Sequence, residues 1–322
     1  MSSYIVSFYL VLSVIAGLYG VTSDAFAKKI NVVSTVAPIT NLVKNVGGNL
    51  IDLHGIIPEG TDSHTFEPRP SDIGVIADAD LIILNGLTLE TPTEKLIGAN
   101  CKPGVVVLKL GDNTISEEEW IFDFSFPKAE GNPNPHIWMN VPYAMRYVEL
   151  IRDKLMVTDP DNKDLYTKRA ELYLARLEQL DKSIQEAVNT VPPENRKLLT
   201  YHDSWAYFAR RYGMTVIGAI QPSSFSEPSP REVARIIDQL NAEKVPAIFG
   251  SEVFPSKVLE QIGREAKVQY VDTLRDDDLP GPIGSREHTY IGMMVEDVKT
   301  MVKALGGTPE ALREIDPSDL EN

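Results

Sequence analysis

Two short, uninterrupted apolar runs, Leu81-Ile82-Ile83-Leu84 and Val105-Val106-Val107-Leu108, constrain this chain more than any other feature. A strand covered by helices on both faces reads as a continuous apolar run, not as an alternating one. Between and before such runs lie stretches of helical character. Ile30 to Ser34 reads as a strand, Ala37 to Val46 as a helix closed by Gly47-Gly48, and Leu50 to Ile57 as a strand stopped by Pro58-Glu59-Gly60. Ser71 is expected to cap a helix running to Ala79. This β-α-β alternation predicts a doubly wound α/β unit with a parallel sheet.

A second unit of the same kind follows Pro192-Pro193. Strands are expected at 197–201, 215–220, 247–249 and 268–271, and helices at 204–212, 230–241, 256–266 and 290–305. Between the two units, residues 117–135 are irregular because Pro127, Gly131, Pro133 and Pro135 block regular structure. Pro142 to Met156 reads as a helix of the first unit. Asp161 to Asn189 has neither Gly nor Pro and carries Leu165, Leu172, Leu177, Leu180, Ile184 and Val188 at helical spacing. At a rise of about 1.5 Å per residue it would exceed ~40 Å, longer than one small domain. It is expected to be a rigid strut between two lobes, with residues 28–160 before it, 161–190 linking, and 191–322 after it.

The chain opens with an apolar run, roughly Ile5 to Gly20, and then small and polar residues ending Ala25-Phe26-Ala27. This pattern reads as a secretory signal peptide, residues 1–27, cleaved before Lys28, although no Lys or Arg precedes the apolar run. The competing reading is a membrane anchor, which needs about 20 apolar residues. Ser13, Gly17 and Gly20 interrupt this run. No cysteine stands directly after it, and Cys101 is the only cysteine, so neither a lipid anchor at Cys nor an internal disulfide is expected. The expectation is a periplasmic monomer that is not inserted in the membrane after cleavage. The formal net charge of −15 argues against nucleic acid and anionic lipid as partners and favours cations near the surface.

The chain has 5 histidines. Three of them, His64, His136 and His202, stand with Asp272 at nearly even gaps of 72, 66 and 70 residues. His64 follows the loop Pro58 to Ser63, and His136 arrives from the proline-rich loop. His202 directly follows the strand ending at Tyr201, and Asp272 directly follows Val268 to Val271. Ligands of open α/β sheets gather beyond the carboxyl ends of strands. Imidazole and carboxylate are the donors that hold zinc and other first-row divalent metals. Two candidates from each unit place the metal between the lobes, with no position left for a reacting water. Taken singly, each histidine is more often a surface or structural residue, and the spacings match no short metal motif. His54 is expected inside a strand, and His288 is a competing ligand near Asp272. Asp203 and Glu252 are candidates to orient the imidazoles.

Several segments around these residues resemble the solute-binding proteins of bacterial zinc/manganese ABC importers, the ZnuA/TroA-like family. They are Ser63-His64-Thr65-Phe66-Glu67-Pro68, Asn134-Pro135-His136-Ile137-Trp138, Tyr201-His202-Asp203-Ser204-Trp205, Phe249-Gly250-Ser251-Glu252, Tyr270-Val271-Asp272-Thr273-Leu274 and Thr289-Tyr290-Ile291-Gly292-Met293-Met294. The likeness spans essentially the whole mature chain and keeps its order. It implies a periplasmic-binding-protein-like architecture with a helical backbone, little hinge motion, and His64, His136, His202 and Asp272 as metal ligands. It also implies delivery of the metal to an ABC permease. Some manganese-binding members carry Glu where this chain has His202, which shifts the expected cargo toward Zn2+, with Mn2+ next and Fe2+ behind. The His-rich loop of many zinc members is missing, since 117–135 contains no His. The alternatives are a zinc-dependent hydrolase, for which no Gly-x-Ser-x-Gly elbow appears, and a metal-binding adhesin.

Overall fold

The computed structural model describes residues 28–220, 228–251 and 256–321. The expected signal peptide therefore lies outside the described residues, as does Glu252. Among the described residues, no helix is long and apolar enough to cross a membrane.

The first half contains β1 (Ile30–Ser34), α1 (Ala37–Gly47), β2 (Ile51–Gly55), α2 (Pro70–Asp78), β3 (Leu81–Leu84), α3 (Thr91–Asn100) and β4 (Val106–Lys109). The strands pair in the order β2-β1-β3-β4, all parallel. All four residues of β3 are buried, as its unbroken apolar run requires. Two details depart from expectation. Helix α2 starts at Pro70, so Ser71 lies in its first turn, and the Asp72 carboxylate accepts the Arg69 N–H at 2.7 Å. Proline fits this position because the first helical N–H has no partner anyway. Helix α3 was not anticipated. It buries only Thr93 and Ile97, too few apolar residues to give a periodic signal.

The second half contains α4 (Val141–Thr158), α5 (Lys163–Asn189), β5 (Lys197–Thr200), α6 (Ala206–Tyr212), β6 (Thr215–Ala219), α7 (Pro230–Glu243), β7 (Ala247–Ser251), α8 (Lys257–Ala266), β8 (Gln269–Leu274) and α9 (Tyr290–Ala304). Its parallel sheet has the order β6-β5-β7-β8. The two sheets share one topology, so the α/β two-lobe architecture read from the sequence is present.

Helix α5 runs for 27 residues, about 40 Å at the usual rise. It buries Tyr166, Ala170, Tyr173, Leu177, Leu180 and Ile184 and packs on α1, α4 and α9. One apolar cluster extends from Val32 and Leu84 of the first sheet, through Tyr173 and Leu177, to Phe249 and Val271 of the second. A separate cluster built on Leu199, Ile248, Leu259 and Ile262 fills the far side of the second sheet. The chain then doubles back. Asp319 accepts hydrogen bonds from the side-chain amides of Asn41 (2.9 Å) and Asn45 (2.8 Å) on α1, and pairs with Lys44 at 2.7 Å. A shared core and a returning tail tie the halves together by more than the linking helix.

Candidate metal centre

In a parallel sheet of this topology, the order reverses beside the strand that begins the unit, and the two connections leaving there open a crevice. In the second sheet that point falls between β5 and β7, and His202 sits two residues beyond the end of β5. The Thr200 hydroxyl donates to the His202 carbonyl at 2.9 Å and fixes the turn. His64 comes from the connection after β2. Its N–H donates to Asp62 Oδ1 at 2.9 Å while Thr65 Oγ1 donates to Oδ2 at 2.9 Å, an Asx turn that shapes the loop.

His136 is held most firmly. The Asn134 side-chain oxygen accepts from both the main-chain N–H and the ring Nδ1–H of His136, each at 2.9 Å. With Nδ1 carrying the proton, Nε2 presents its lone pair to the site. The Asn134 amide nitrogen donates in turn to Asp123 Oδ2 at 2.7 Å and to the Asp203 carbonyl. Asp203 thus reaches the site through its main chain, while its carboxyl is buried and pushed well above the usual carboxylate range by that burial and by the neighbouring Asp123 charge. Asn134 itself was not singled out from the sequence. An amide two residues before a ligand candidate was the available signal.

The three imidazoles converge. Nε2 of His136 lies 3.3 Å from Nε2 of His64 and 3.3 Å from Nε2 of His202, and one ligand atom from each ring lies within 4.8 Å of the others. His136 is 0% and His202 4% exposed. Burial and the neighbouring His202 lower the His64 imidazole to about 3, and burial likewise carries His136 well below its ordinary value. Both rings are therefore neutral at neutral pH, the state in which imidazole binds metal.

Asp272 is not brought to this cluster. Strand β8 continues to Leu274 and does not stop at Val271, so Asp272 sits inside the strand with an exposed side chain. The carboxylate at the cluster belongs to Asp276, four residues on, whose Oδ2 lies 3.1 Å from His202 Nε2. Trp138 secures it: the indole N–H donates to the Asp276 carbonyl at 3.0 Å, and the Tyr290 hydroxyl donates to the Trp138 carbonyl at 2.7 Å. His54 is exposed on β2. His288 stands apart from the three rings, with Nε2 3.1 Å from Glu59 Oε1.

The distances have a chemical meaning. A tetrahedral zinc ion with bonds of about 2.0–2.1 Å separates its donors by about 3.3 Å. The two nitrogen separations and the oxygen–nitrogen separation match that edge. Three imidazoles thus stand at the spacing of metal donors, with the Asp276 carboxylate beside one of them, His202.

Two parallel-sheet lobes with three converging imidazoles at their junction mark the class of metal-binding substrate-binding proteins. The family model described as "Zinc-uptake complex component A periplasmic" matches residues 32–304, and the chain belongs to that family. The manganese-binding lipoprotein MntA of Halalkalibacterium halodurans is 30% identical over 286 residues, covering 89% of this chain and 91% of the relative. The iron-binding protein YfeA of Yersinia pestis is 30% identical over 302 residues, with 94% of each chain covered. The periplasmic zinc-binding protein TroA of Treponema pallidum superposes with a TM-score of 0.78 at 29% identity, covering 86% of this chain and 99% of that one. These are substrate-binding proteins and not enzymes, and this chain shares that character, which removes the hydrolase alternative.

Proposed function

We propose that this protein captures one divalent cation between its lobes, with Zn2+ as first cargo, and delivers it outside the cytoplasm to an ABC permease. His64, His136, His202 and Asp276 would hold the ion, and residues 28–160 and 191–322 would act as the two lobes that it bridges. The observation that carries this reading is the convergence of three imidazoles, with His136 Nε2 3.3 Å from Nε2 of both His64 and His202, and a carboxylate oxygen of Asp276 3.1 Å from His202 Nε2. Three imidazoles against a single carboxylate suit zinc better than manganese, which takes more oxygen ligands. Mn2+ and Fe2+ follow, because relatives of similar identity are named for manganese and for iron.

Calorimetric titration of chelator-stripped protein with zinc and with manganese tests the cargo, alongside elemental analysis of protein purified from its own compartment. Tight 1:1 zinc binding with weaker manganese supports the reading. Tight manganese with weak zinc would replace the cargo and keep the class. Binding of neither would remove the metal reading.

A further inference from the structure

The four groups of the site are not held alike. His202 hangs on the end of β5 and His136 on Asn134. His64 and Asp276 instead sit on two connections without regular structure, residues 56–69 between β2 and α2 and residues 275–289 between β8 and α9. These connections meet each other directly. The Gly60 N–H donates to the Asp278 carboxylate, with oxygens at 2.8 and 2.9 Å. Glu59 Oε1 lies 3.1 Å from His288 Nε2, and His288 Nδ1 lies 3.2 Å from the Gly281 carbonyl. His288 is largely covered there, its side chain 10% exposed.

His64 is the only partly exposed ring of the three, so the His64 loop is the solvent side of the site. The two connections that carry His64 and Asp276 are thus held together by contacts outside the ring cluster. From this geometry we infer that Glu59 and His288, with the Gly60–Asp278 contact beside them, form a clasp that sets the rate of metal entry and exit. None of the four is one of the proposed ligands. They are positioning residues, holding the loop of one ligand against the segment of another. The inference rests on the metal reading above.

Two variants test it, with zinc as the probe. H288A removes the imidazole, and E59Q keeps the shape of the partner while removing its charge. Zinc release from the loaded protein to an excess of chelator is followed by stopped flow, and zinc affinity by competition. Each variant is expected to release zinc about tenfold faster, as loss of one charge-assisted hydrogen bond predicts. Entry should speed up with exit, so the dissociation constant should change less than about threefold. The double variant should release no faster than the singles, because both residues serve one contact. Release at the wild-type rate in E59Q would overturn the clasp, and so would a purely equilibrium loss with unchanged release. Failure of the wild-type protein to bind zinc would instead strike the metal reading, so the two failures are distinguishable.

Discussion

Acid should attack the metal-free site through His64, and the structure sets the size of the effect. Burial and the nearby His202 lower the His64 imidazole from 6.5 to about 3 in the folded protein. Between those values the unfolded chain binds a proton that the folded chain refuses, so stability rises with pH across the window. The contribution is fully present above pH 6.5 and is lost as the pH falls toward the folded value. At about 1.4 kcal/mol per unit, the loss from this one ring reaches roughly 3 kcal/mol by pH 4.5. The perturbation is H64N, which keeps a polar side chain and removes the titration. Urea unfolding of both proteins at pH 7.0 and 4.5, in the presence of a chelator, reads the difference. Wild-type protein should lose about 3 kcal/mol more than H64N over this interval, enough to move an unfolding midpoint by more than about 1 M. Equal losses in the two proteins would refute the argument that His64 is forced neutral by its surroundings.

Three further outcomes are expected. D276N should weaken zinc binding by at least about a hundredfold while D272N stays within about twofold, since only Asp276 touches the cluster; calorimetry of the pair reads this. N134A frees the His136 ring from its Nδ1 partner and should cost about 10–100-fold in zinc affinity with a smaller loss of stability, measured by competition and by thermal melting. D319A removes the acceptor of two α1 amides and one lysine, and should lower stability by roughly 1–3 kcal/mol in urea unfolding while leaving zinc affinity unchanged.

Much of this was legible in the sequence because the governing signals were local. Leu81-Ile82-Ile83-Leu84 could only be a strand covered on both faces, and it is buried throughout. The uninterrupted 161–189 segment could hardly be other than a long helix, and α5 occupies nearly all of it. His64 and His202 stood on connections that follow strands and His136 at the end of the proline-rich loop, and the fold brings those three rings together. Helix α3 escaped because two buried residues make no periodic pattern.

Which carboxylate faces the cluster was a different kind of question. Asp272, Asp276, Asp277 and Asp278 lie within seven residues of one another, and nothing in their composition separates them. The choice depends on where β8 ends, and its pairing with β7 carries the strand to Leu274, with Leu274 opposite Ser251. That pairing exposes Asp272, while the Trp138 indole, arriving from the other half of the chain, anchors the Asp276 backbone beside His202. By itself the sequence determined the layered α/β architecture and the three imidazoles, because apolar pattern and residue type are properties of short segments. Only the tertiary structure decided which carboxylate lies beside His202, the Asn134 bracket and the Glu59–His288 contact, because each depends on groups brought together from separate segments of the fold.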